Sequence, residues 1–157
     1  MASGLAGGFL GNGLLGALFS APPLRRVLYD PSLQSPLFLE ITPQRNVPLS
    51  VAGLVVLSGI HGWLFARLAA GIPGSTWVRQ GLFWGVTIWA TYWLFQEWFI
   101  YYTLLQEPPL LALPELAVLL PGSLAEGLVI AGLQARAASN AEMLSSASPG
   151  GIGRMRG

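Results

Sequence analysis

The chain has no cysteine and no lysine. The first absence excludes disulfides, thiolate nucleophiles, Cys-ligated zinc and iron–sulfur clusters. The second leaves eight basic residues, all arginine, scattered over 157 positions with a net charge of +1. A nucleic-acid partner needs basic residues gathered in a stripe, and there is none here. The all-arginine usage reads as a GC-rich coding bias and favours a bacterial source. Charge of either sign is scarce, 10% of residues against about 25% in an ordinary soluble domain. Apolar residues make up 53% and the mean hydropathy is +0.58. A soluble domain of this composition would expose large apolar patches and aggregate; a bilayer removes that problem. The opening MASGLAGG has neither Arg nor Lys, so no cleavable signal peptide is expected. With Ala2 where myristoylation needs glycine, and no cysteine to acylate or prenylate, no lipid anchor is expected.

What is present is a set of long, nearly uncharged runs. They predict an all-α bundle of four transmembrane helices, at about 5–24, 48–66, 81–105 and 115–135, since a spanning helix needs about 20 apolar residues. The proline-bearing segment 25–47 (Pro31, Pro36, Pro43) reads as an extramembrane loop, and Glu107-Pro108-Pro109 as the break after the third span. Residues 1–136 form the membrane domain. Residues 137–157 are a polar, Gly/Ser-rich tail, expected on composition to be disordered unless a partner holds it. Arg67, Arg79, Arg136, Arg154 and Arg156 fall on one side and Arg25, Arg26 and Arg45 on the other. The positive-inside rule then puts both termini in the cytoplasm of a multi-pass inner-membrane protein.

Four polar residues inside or beside these runs form the candidate intramembrane site: His61, Gln96, Glu97 and Glu126. A carboxylate at bilayer depth must be protonated, paired or wetted, which makes it a functional hypothesis by default. Its bland alternative is a neutral acid hydrogen-bonded across a helix interface. Glu115, Leu119, Gly122 and Glu126 share one helical face, and Pro121 sits about one turn before Glu126 and frees the Ala117 carbonyl. Leu54, Ser58, His61 and Phe65 share a face of the second span. His61 could hold haem or a pigment or relay protons, although Leu57 stands where pigment-binding helices often carry a small residue. Gly4, Gly8, Asn12, Gly16 and Ser20, spaced by four, form a ridge of small residues. Such a ridge suits close packing, either on another subunit or on the chain's own helices. No metal-ligand cluster, phosphate loop or nucleophile–base pair can be assembled, so no enzymatic activity is expected.

The Gly-rich first helix, the IPG turn before WVRQGLFWGVTIW, and LPGSLAEGLVIAGL together resemble small four-helix bacterial inner-membrane proteins over about residues 5–135. The resemblance implies a fold and a location but no reaction. Three functions are then open, in this order. A non-catalytic accessory or structural subunit, bound to other membrane subunits or to itself, predicts stoichiometric co-purification. A small transporter or proton conductor using Glu97, Glu126 and His61 predicts an ion flux. A pigment- or haem-binding subunit predicts an absorbance band that depends on His61.

Overall fold

The structure, a computed structural model, describes residues 1–41 and 46–147. Pro43 and Arg45, and the tail from residue 148 with Arg154 and Arg156, lie outside the described residues. Among the described residues the chain is all helical, with no strand. Among the described residues three helices are long and apolar enough to cross a membrane: Ala2–Phe19, Val47–Gly71 and Pro109–Ser146. Large apolar side chains such as Val56, Ile60, Trp63 and Phe99 are exposed on the outside, the inverse of a soluble protein and suited to lipid.

Helix α1 (Ala2–Phe19) stops before its expected end at 24. Ala21 is extended, as a residue before proline tends to be, and Pro22 opens a new helix, α2 (Pro22–Leu28). The expected loop 25–47 thus carries two short helices, α2 and α3 (Pro36–Ile41). Helix α4 (Val47–Leu68) is capped by Asn46, whose side chain accepts from the Leu49 N–H at 3.1 Å.

The expected third span is not one regular helix. Helix α5 (Trp77–Ile88), capped by Thr76, continues into π-helical turns at Trp89–Trp93 and Gln96–Leu104. The chain stays helical from 77 to 104, but its hydrogen bonds reach one residue further, as in Leu105 N–H to Ile100 O at 2.8 Å. Such turns alter which side chains face inward, a local change that α-helical spacing does not anticipate.

Helix α6 (Pro109–Ala147) absorbs both Pro114 and Pro121 and runs on well past Arg136. Ala, Glu, Met and Leu in AASNAEMLSSA are good helix formers, so part of the expected disordered tail is helical.

The helices run up and down. At one end, Gln134 donates to the Gly62 carbonyl at 2.9 Å and to Ser3 Oγ at 3.2 Å, tying α6, α4 and α1 together. At the other, Ser35 Oγ donates to the Leu105 carbonyl at 2.7 Å. Helices α1 and α6 form the central pair, with α4 against α1 and α5 against α6. Phe65 of α4 meets Trp84 of α5 edge-on at 5.8 Å, in a core with Ile72, Ile88 and Ile130.

Candidate functional site

Glycines set the spacing of the site. A Cβ on Gly8 would strike the Ser58 side chain of α4, and one on Gly4 the Ser58 carbonyl. On the neighbouring face of α1, a Cβ on Gly7 would lie 2.8 Å from the Glu126 carbonyl oxygen, and one on Gly11 3.1 Å from Glu126 Cβ. Without side chains there, α1 draws α4 and α6 in from two sides. The result is contact between two candidate residues 65 positions apart: His61 Nδ1 and Glu126 Oε1 are separated by 2.8 Å. Glu126 is buried and His61 nearly so. One hydrogen bond joins the two atoms, its donor set by which of them carries the proton, and a proton passing from one to the other within the pair leaves the pair's net charge unchanged.

The predicted ridge therefore divides. Gly4 and Gly8 pack inside the chain, and Asn12 turns its amide to the Gly8 carbonyl at 2.9 Å. Gly16 meets nothing within 4 Å, and Ser20 caps back onto the Gly16 carbonyl at 2.7 Å.

The His61–Glu126 pair lines a cavity of about 410 Å³ between α4 and the π-helical continuation of α5, with Asn12, Ser50, Trp93 and Gln96 among its walls. Glu97 is not part of it. Its side chain, with 3% of its surface exposed, enters a second cavity of about 590 Å³, lined also by Gln96, Tyr101, Glu107 and Glu115. Asn12, Trp93 and Gln96 line both cavities. The four candidate residues thus form two centres with Gln96 between them.

The second centre contains two residues that sequence reading did not place in the site. Glu97, Glu107 and Glu115 each bring a carboxylate oxygen within 4.8 Å of the others. Gln106 adopts the left-handed conformation at φ 57°, which reverses the chain within a few residues, and the Glu107 N–H donates to the Tyr101 carbonyl at 2.9 Å. That turn returns Glu107 toward Glu115 at the start of α6. Burial, and then the negative charge of Glu115, push the Glu107 carboxyl up to about 7. The only available signal was that three of the chain's seven acids cluster around one helix break.

Of the deep aromatics, Trp89 donates its indole N–H to the Leu116 carbonyl at 2.9 Å, next to Ala117, whose carbonyl Pro121 cannot bond, while Tyr92 and Trp93 wall the His61 cavity. No family model, curated protein or solved structure matches the chain.

Proposed function

We propose that this is a small proton-conducting membrane protein. It has four spans, the helical stretch 77–104 serving as the third, and sits in a bacterial inner membrane with both termini in the cytoplasm. Arg67, Arg79 and Arg136 at one end of the bundle outnumber Arg25 and Arg26 at the other, which favours that orientation. The observation that carries the reading is that the two cavities share Asn12, Trp93 and Gln96 as walls. In the proposed route a proton passes between the His61–Glu126 pair and the Glu97, Glu107 and Glu115 carboxylates across those shared walls. Titratable groups in such a row are how membrane proteins relay protons.

The accessory-subunit reading ranks behind it, because Gly4, Gly7, Gly8 and Gly11 pack against the chain's own α4 and α6. The pigment reading ranks third: with Nδ1 engaged by Glu126 only Nε2 of His61 could ligate a metal, and Leu57, rather than a small residue, stands four positions before it.

The test is proton flux in proteoliposomes under an imposed membrane potential, read with an internal pH dye. Wild type conducts above protein-free vesicles, and Glu126→Gln loses about 10²-fold or more, the scale of a positioned acid–base group. Undiminished flux in Glu126→Gln, or none in wild type, overturns the proposal.

A further inference from the structure

We propose that Glu97, Glu107 and Glu115 form a binding site for a hard divalent cation of the Ca²⁺ class. Three acids share the second cavity, and among the described residues no basic side chain lines it. Their mutual reach of 4.8 Å or less fits inside a Ca²⁺ coordination sphere, whose opposed oxygens are about 4.6–5.2 Å apart.

A second observation points to a ligand. Glu97 is almost wholly buried, yet its Oε2 has no hydrogen-bond partner, and Oε2 of Glu107 is likewise unmatched. Buried carboxylate oxygens are normally satisfied, and an orphaned one calls for an ion or a water. Two such oxygens in one acidic cavity suit a cation better than a water, because a cation also offsets the repulsion among the three acids. All-oxygen donors select a hard ion over zinc or copper. Tyr101 and Gln96 line the same wall, and water completes a sphere that takes six to eight oxygens.

The elements that build the site come from different parts of the chain. Glu97 projects from the π-helical stretch Gln96–Leu104, Glu107 from the turn after it, and Glu115 from α6 within a turn of Pro114. Binding therefore staples the third helical stretch to α6. The three acids also stand on the proposed proton route, but the inference does not rest on conduction, since cation binding is read without any flux.

The experiment is calorimetric titration of the purified, chelator-treated protein in detergent with CaCl₂, repeated with MgCl₂, alongside thermal unfolding. Saturable one-to-one binding of Ca²⁺ and a raised Tm are expected. Glu97→Gln and Glu107→Gln each weaken binding on the order of tenfold or more, whereas Glu142→Gln, on the exposed end of α6, leaves it unchanged. Glu107 lies in a turn, so its variant reports on the site even if Glu97→Gln fails to fold. No binding of wild type at millimolar Ca²⁺, or equal binding in Glu107→Gln, overturns the site; the three acids then hold protons only.

Discussion

Gly127→Ala lowers the stability of the detergent-solubilised protein by about 1–3 kcal/mol, the usual range for overpacking, while Gly16→Ala leaves it unchanged or raises it. The two substitutions are identical in sequence terms, and both add a good helix former to a helix interior. They differ in what the methyl meets. At Gly127 it meets the Gly81 carbonyl oxygen of α5 and comes within 2.8 Å of Gly85 Cα. Both are backbone, so no rotamer change relieves the clash and α5 must move away from α6. The approach is mutual, since a Cβ on Gly85 would sit 2.7 Å from Leu124 Cα. At Gly16 there is nothing within 4 Å, and replacing glycine removes its excess unfolded-state entropy. Thermal unfolding of both variants decides the matter; equal effects would mean that the α5–α6 crossing is not built on glycine contact.

The second large effect concerns the His61–Glu126 pair. His61→Leu lowers Tm more than the double replacement His61→Leu/Glu126→Leu does. The single variant strands a carboxyl of which 6% is exposed, and an orphaned buried polar group costs about 1–3 kcal/mol, more when it is ionised. The double variant removes both polar groups and fills the space with apolar atoms, a change that is often neutral or stabilising. Loss of stability that simply adds across the two sites would show that His61 and Glu126 do not interact. A sub-additive result, with flux lost in the double variant, would separate the pair's contribution to stability from its part in conduction.

Much of the architecture is legible in the residue pattern, and the reasons for the gaps are physical. Length and hydropathy indicate an all-helical membrane chain, and Glu107-Pro108-Pro109 marks the break before α6. His61 and Glu126 each stand out as polar residues in apolar runs. Their contact does not, because face arithmetic places residues on one helix and leaves its rotation against the next undetermined. The glycines at 7, 8 and 11 settle that rotation. Glu97 falls into a separate centre because the chain around it is π-helical, which alters the inward-facing set. Glu107 and Glu115 were hidden for a related reason: their meeting depends on the left-handed turn at Gln106, and glutamine gives no sign of that conformation. Gly81 and Gly85 also have the spacing of four, but the aromatic residues around them dominate the pattern.

The central claim is that the two cavities form one route reached by water, joined at Gln96. The cysteine-free chain makes any introduced thiol unique, and a thiol reacts only where water lets it ionise. The measurement is labelling of Gln96→Cys in native membranes by a small, water-soluble, charged thiol reagent, with Phe95→Cys as the reference on the exposed apolar face. The account predicts that Gln96→Cys is labelled and Phe95→Cys is not. A Gln96→Cys as unreactive as Phe95→Cys would mean that the cavities are dry and separate, and that no such route crosses the bundle.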